Sequence, residues 1–308
     1  MTRWTVSDIP SQRGRTAVVT GTGGLGFEDA LALARAGANV ILAGRNPLKG
    51  EEAIARIRKD APAVNVRFEA PDVASLDAIA TFAVRLRHAQ GCLDLLINNA
   101  GVMTPPKRQE TSNGFELQFG TNYLGHFALT AQLLPLLRKG NQPRVISLSS
   151  IAARQGVIHF DDLQVEHGYR PMVAYSQSKL ACLMFAFELQ RRSGLAGWGI
   201  QSIAAHPGVS RTDLLPNGAG AESAAGLARR FLWFLFQPAA QGALPTLFAA
   251  TSLQAQCGIY YGPDTLGEIR GYPCVAKVPP QALDMSAAAR LWIESERLTG
   301  VLFPTSGD

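Results

Sequence analysis

Tyr175 and Lys179 stand four residues apart in Tyr175-Ser176-Gln177-Ser178-Lys179, downstream of a Ser149-Ser150 pair that closes an apolar run. On a helix, a spacing of four puts phenol and ammonium on one face. A phenol with a reference pKa near ~10 cannot shuttle protons at neutral pH without help. A fixed cation beside it stabilises the phenolate. A move of about three units corresponds to roughly 4 kcal/mol. One lysine at contact distance supplies part of this, and a bound cationic cofactor supplies more. The YxxxK pattern is short and helices carry many lysines, so the same pair also suits a solvated helix face. Its meaning depends on where the rest of the chain places it.

The surrounding pattern alternates between two periods. Short apolar runs at 16–20, 39–43, 64–68, 93–97, 144–148 and 200–205 predict six strands. Between them, segments at 27–36, 48–59, 75–90, near 114–137 and 172–192 have helical spacing, the first stopped by Gly37. Strands that are apolar throughout, rather than on one face, indicate a parallel sheet covered on both sides. The fold class is α/β, a doubly wound parallel sheet, in which ligands bind beyond the carboxyl ends of the strands. Gly21 to Gly26, Arg45, Asp72, Asn99, Ser150 and His206-Pro207-Gly208 all fall at such ends.

No linker or charge block divides the 308 residues, so one domain is expected, with its two halves at about 14–142 and about 143–300. Hydrophobic residues make up 47% and charged residues 17%, as in a globular protein. The net charge of +5 is spread along the chain, which suits an anionic small molecule and gives no stripe for nucleic acid. Four scattered cysteines without CxxC spacing suggest reduced thiols in a cytoplasmic protein. The five histidines show no metal-ligand spacing, so no metal site is expected; His126 and His206 are read as structural, His206 close to the cofactor loop. The first fourteen residues hold no secretory core, and no apolar run approaches the ~20 residues needed to span a bilayer.

Gly21-Thr22-Gly23-Gly24-Leu25-Gly26, between first strand and first helix, lets backbone amides approach a pyrophosphate, with the helix N-terminus favouring its charge. An acid at the end of the second strand would hold a ribose 2′-hydroxyl. Here that strand ends Ala43-Gly44-Arg45, and the planar donors of Arg45 suit a 2′-phosphate. The expected cofactor is NADP(H) in preference to NAD(H).

With these motifs in place the chain resembles the short-chain dehydrogenase/reductase family over nearly its whole length. Thr20-Gly21 with Gly24-Leu25-Gly26 is similar to its glycine motif, although one residue shorter than the usual TGxxxGxG. Asp72-Val73 resembles the adenine contact, Asn98-Asn99-Ala100-Gly101 the NNAG signature, and Asn122 the helical asparagine. Ser150, Tyr175 and Lys179 match the active-site positions, and Pro207-Gly208-Val209 with Thr212 the nicotinamide loop. Within the family, His159-Phe160-Asp161-Asp162-Leu163 and the Tyr175 segment look most like the retinol-dehydrogenase and WW-domain-oxidoreductase branch.

The resemblance implies a hydride-transfer oxidoreductase. Tyr175 would be general acid in reduction and general base in oxidation. Lys179 would support Tyr175 and hold the nicotinamide ribose, Ser150 (or Ser149 beside it) would bind the substrate oxygen, and Asn122 would hold a water linking Lys179 to solvent. The stretch between Ser150 and Tyr175 is longer than in compact members and reads as a flap over the site or over the faces used for oligomers. A C-terminal lid at about 212–238 carries the aromatic run Phe231-Leu232-Trp233-Phe234-Leu235-Phe236. Over an apolar pocket this run suits a small hydrophobic carbonyl or alcohol of bulky shape; as a buried helix face or subunit contact it says nothing of substrate. Two rival functions stay open, reduction of an activated C=C bond and non-catalytic sensing of NADP(H). The oligomeric state is not readable.

Overall fold

The computed structural model describes residues 3–210 and 237–305. Alternating strands and helices begin with β1 (Thr16–Thr20), α1 (Gly24–Arg35), β2 (Asn39–Ala43), α2 (Pro47–Asp60), β3 (Val66–Glu69), α3 (Leu76–Ala89) and β4 (Leu95–Asn98). Local chemistry sets the helix starts. The Asn46 side chain accepts from Lys49 N–H and Pro47 opens α2, while Ser75 accepts from Ala78 N–H at the head of α3.

The helix expected near 114–137 is broken. Leu117–Phe119 leads into a π segment, Gly120–Leu124, and then into α4 (Gly125–Leu137). Wider π turns free carbonyls from the usual ladder and recur at functional sites. The chain continues through β5 (Arg144–Leu148), a 3-10 turn (Ile151–Gln155), α5 (Pro171–Ala196) and β6 (Gln201–Ala205). After Gln237 come a single turn at Ala239–Gly242, α6 (Leu244–Thr251), β7 (Tyr260–Thr265), β8 (Arg270–Val275) and α7 (Met285–Thr299).

The sheet order is β3-β2-β1-β4-β5-β6-β7-β8, parallel except for β8 against β7. β1 pairs with both β2 and β4, so the strand order reverses there and opens the crevice where doubly wound sheets bind ligands. β1 and β5 are buried along their whole length, as central strands covered on both faces must be. One face packs under α1, α2 and α6. The other packs under α3, α4, α5 and α7, where Trp292 meets Phe303 at 4.4 Å and stacks on Phe185 at 5.8 Å.

β7 and β8 go beyond the six strands expected. Pro263 lies opposite Pro273 in that hairpin, and prolines hide a strand from pattern reading because they cannot donate to a ladder. The segment between Ser150 and Tyr175 packs against helices α5 and α7. Leu163 and Val165 are buried, Gln177 Nε2 donates to Leu163 O, and Arg290 of α7 lies 4.1 Å from the Phe160 ring centre. Asp162 accepts from the Glu166 and His167 amides, as a turn residue does. Thr212 and the aromatic run at 231–236 lie outside the described residues, as does most of the expected lid. Among the described residues no helix is long and apolar enough to cross a membrane, and no cluster of His, Cys, Asp or Glu has metal-site geometry.

Candidate active site

The carboxyl end of β1 is a hydrogen-bond hub. Thr20 Oγ1 accepts from the amides of Asn99 and Ala100, each at 2.9 Å, and lies 3.0 Å from His126 Nε2. His126 Nδ1 faces the Asn122 carbonyl at 3.0 Å and must donate to it. Nε2 is then the acceptor, and the Thr20 hydroxyl donates to it. Burial, with Lys179 nearby, pushes the His126 pKa down to about 4, so the ring is neutral. Asn99 Nδ2 reaches back to Thr20 O at 2.7 Å. The NNAG loop is thereby joined to the glycine turn by neutral groups alone.

The glycine turn is built for close approach. Gly21 has φ +95° and Gly24 φ +52°, conformations that favour glycine. A Cβ on Gly26 would lie 2.2 Å from Gly21 O, and one on Gly21 would lie 2.7 Å from Asn99 Nδ2. Leu25 is buried in the first turn of α1. The motif, one residue short, still closes a tight turn into a helix N-terminus, and its residues fit a pyrophosphate.

Arg45 is exposed just past β2, in no ion pair among the described residues. Asp72 is half-buried past β3 and accepts from Ala74 N–H at 2.9 Å, with Val73 buried beside it. Both stand at the same edge as the glycine turn.

Three elements bring the proposed proton-transfer residues together. Tyr175 and Lys179 lie on α5, largely buried, with Lys179 Nζ 5.9 Å from the Tyr175 ring centre and 3.0 Å from Leu148 O at the end of β5. Ser149 Oγ donates to Lys179 O at 2.7 Å, so its hydrogen is already used. Ser150 Oγ accepts from Ala152 N–H and keeps its own hydrogen to donate. Asn122, in the π segment, exchanges both amide bonds with Val102, accepting from its N–H at 2.8 Å and donating to its C=O at 3.0 Å. Its Nδ2 also donates to Ser178 Oγ, and its backbone carbonyl takes the Cys182 thiol as well as His126. A Cβ on Gly101 would sit 3.0 Å from Asn122 Oδ1 and 3.7 Å from Lys179 Nζ, so the glycine keeps the approach between them clear.

Beyond β6, Pro207-Gly208-Val209 turns across the same edge. Gly208 has φ +63°, and Val209 N donates to Ile269 O in the β7–β8 turn. Reading the sequence missed the Thr20 hub and the β7–β8 turn as supports of this edge. A threonine at the end of an apolar run was the one available signal for the first; the second had none, because hairpin pairing is non-local.

Fold and edge geometry define a doubly wound α/β protein of the Rossmann type. Residues 15–220 match the family model described as short chain dehydrogenase, and the chain belongs to the short-chain dehydrogenase/reductase family of oxidoreductases. Its relatives lie in the retinol-dehydrogenase branch. Retinol dehydrogenase 13 of Mus musculus is 41% identical over 295 residues, covering 94% of this chain and 84% of that protein. Polyprenol dehydrogenase of Mus musculus is 38% identical over 300 residues, covering 95% and 86%. A crystal structure of an uncharacterised protein from Mycobacterium paratuberculosis superposes with a TM-score of 0.81 at 39% identity, over 98% of this chain and 100% of that one. L-sorbose reductase from Gluconobacter frateurii, complexed with NADPH and L-sorbose, shares the fold at a TM-score of 0.68 and 22% identity, over 85% and 98%.

Proposed function

We propose that this protein is an NADP(H)-dependent alcohol dehydrogenase or carbonyl reductase acting on a bulky hydrophobic alcohol and its carbonyl partner. The observation that carries the reading is the division of labour between adjacent serines. Ser149 is tied to Lys179 O, whereas the next residue, Ser150, retains a donor just past the end of β5, where Lys179 Nζ reaches Leu148 O.

The cofactor supplies and accepts the hydride; the protein supplies position and proton transfer. Gly21, Gly24, Leu25 and Gly26 would hold the pyrophosphate, Asp72 and Val73 the adenine, and Arg45 the 2′-phosphate. Asn99, Ala100 and Gly101 would line the ribose side, and Pro207, Gly208, Val209 and Thr212 the nicotinamide side. Tyr175 would give its phenolic proton to the carbonyl oxygen in reduction and take it back in oxidation. Ser150 would donate to that same oxygen. Lys179 would stabilise charge developing on Tyr175 and bind the ribose, and Asn122 would hold a water at Oδ1 on the Lys179 side. Relatives named for retinol and polyprenol support a long apolar substrate.

NADPH absorbance followed against bulky ketones, aldehydes and enones tests the reading. Alcohol product from a ketone or aldehyde is expected. A saturated ketone from an enone would move the activity to C=C reduction, and saturable cofactor binding without turnover would leave a sensor. Dissociation constants for NADPH and NADH test Arg45. NADPH should bind more tightly, and Arg45→Asp should invert the order; equal binding in the parent sinks the assignment.

A further inference from the structure

His206 follows β6 directly, is 0% exposed, and contacts the loop that carries Pro207. Its Nδ1 accepts from Gly208 N–H at 3.2 Å, so Nε2 bears the hydrogen and donates to Glu268 Oε2 at 2.9 Å. The same carboxylate oxygen pairs with Arg154 Nη2 at 2.6 Å, and its other oxygen accepts from Lys277 N–H at 2.9 Å. Arg154 belongs to the 3-10 turn that Ser150 caps. Three groups on three elements therefore share one carboxylate.

The packing around this carboxylate leaves little play. A Cβ on Gly262 would fall 2.0 Å from His206 Nε2, and the Tyr260 ring lies 5.0 Å from the imidazole. Tyr260 OH in turn donates to Ser150 O at 3.3 Å. Glu268 itself has φ +71° and Leu266 φ +51°, conformations that non-glycine residues keep only when their surroundings enforce them. Backbone contacts run alongside. Val209 N donates to Ile269 O at 2.8 Å, and a Cβ on Gly208 would lie 2.2 Å from that oxygen. Gln237 bridges from the other side, donating to Pro207 O at 2.6 Å and accepting from Gly271 N–H at 3.1 Å.

We propose that the turn between β7 and β8 is a positioning clamp in which Glu268 holds His206 and Arg154 together, setting the Pro207–Val209 loop against the Ser150 turn. The clamp rests on the reading of that loop as the nicotinamide side of the site. Glu268, His206 and Arg154 are positioning residues and touch neither substrate nor cofactor. Their effect is confined to one end of the cofactor, because the 2′-phosphate and pyrophosphate ends are held by other loops. A lost hydrogen bond to a charged group, or a small misplacement of a reacting group, changes binding or rate by roughly tenfold or more.

The experiment compares two ligands in the full-length protein by calorimetry: NADP⁺, and adenosine 2′,5′-bisphosphate, which lacks the nicotinamide half. Glu268→Ala should weaken NADP⁺ about tenfold, leave the bisphosphate within about twofold, and lower kcat about tenfold. The isotope effect with 4-deuterated NADPH should rise as hydride transfer becomes limiting. Glu268→Gln, which keeps an oxygen for His206 Nε2–H, should recover part of the loss. Arg154→Ala, at a half-exposed position, should show the same pattern at about threefold and serves if Glu268→Ala does not fold. Parallel weakening of both ligands, or unchanged kcat and NADP⁺ affinity, overturns the clamp while leaving the proposed function standing. A parent protein that binds neither ligand removes that function and the clamp with it.

Discussion

His126 and His206 are both fully enclosed at the carboxyl edge of the sheet, one serving the end of β1 and the other the end of β6, yet their surroundings differ in kind. His126 lies between a carbonyl and a hydroxyl, with Lys179 the nearby charge. His206 lies against a carboxylate that also holds an arginine. Burial lowers both pKa values, but at His206 the Glu268 carboxylate opposes the shift, while at His126 the neighbouring lysine adds to it. The β1 side is ordered without charge and has no place for an extra proton. The β6 side is ordered by charge and bridges elements far apart in sequence. A neutral hub suits a rigid turn, and an ion-paired contact suits a loop held by segments far apart in sequence.

The largest expected effect removes the chemistry and leaves both supports alone. Tyr175→Phe deletes the phenol to which the proposed function assigns the proton, and kcat should fall about 10³-fold while NADP⁺ binding stays within twofold, measured by steady-state kinetics and calorimetry. Substantial residual turnover would refute the role of Tyr175 and leave the two supports without a reaction to position.

Next in size is a break in the neutral hub. Thr20→Val keeps the shape but strands the amides of Asn99 and Ala100 and the Nε2 of His126. Leaving such buried groups without partners should cost about 3 kcal/mol in urea unfolding. Because no ion pair is involved, the loss should be the same in low and high salt, whereas the Arg154–Glu268 side should respond to salt. A salt-dependent loss at Thr20 would erase the distinction between the two regions.

The β1 side was the more readable in sequence, for a physical reason. Glycines at 21, 24 and 26 and the Asn98-Asn99-Ala100-Gly101 run are local signals, since each is a short run of the residue types a tight turn favours, although Thr20 and Asn99 then tie the two loops together. Tyr175 and Lys179 share a helix, so their spacing alone placed them together. The strand ends at Arg45, Asp72 and Ser150 followed from hydrophobic periodicity. What stayed hidden depends on contacts between distant segments. Glu268 meets His206 across 62 positions, and β7 and β8 carry prolines that mask strand character. The π segment at Gly120–Leu124 was masked because its residues read as ordinary helix. The choice of Ser150 over Ser149 came from resemblance; the hydrogen bond from Ser149 to Lys179 O supplies a physical argument for it.

The smallest of these effects separates the histidines by acid. His126 has a folded pKa of about 4 against an ordinary value of 6.5, so between these limits the unfolded chain binds a proton that the native protein refuses. Stability from this group is complete above pH 6.5, declines as pH falls from 6.5 towards 4, and is constant below. Between pH 7 and 5 the decline amounts to about 2 kcal/mol. His126→Asn does not titrate, and its amide can still donate to Asn122 O. Urea unfolding at the two pH values should show the parent losing about 2 kcal/mol more than this variant. The matching comparison for His206→Asn should give a smaller difference, because Glu268 offsets part of the penalty on the charged ring. Equal differences at the two positions would mean that Glu268 does not set the charge balance of the β6 side, and the contrast between a neutral and a charged support would fail at its source.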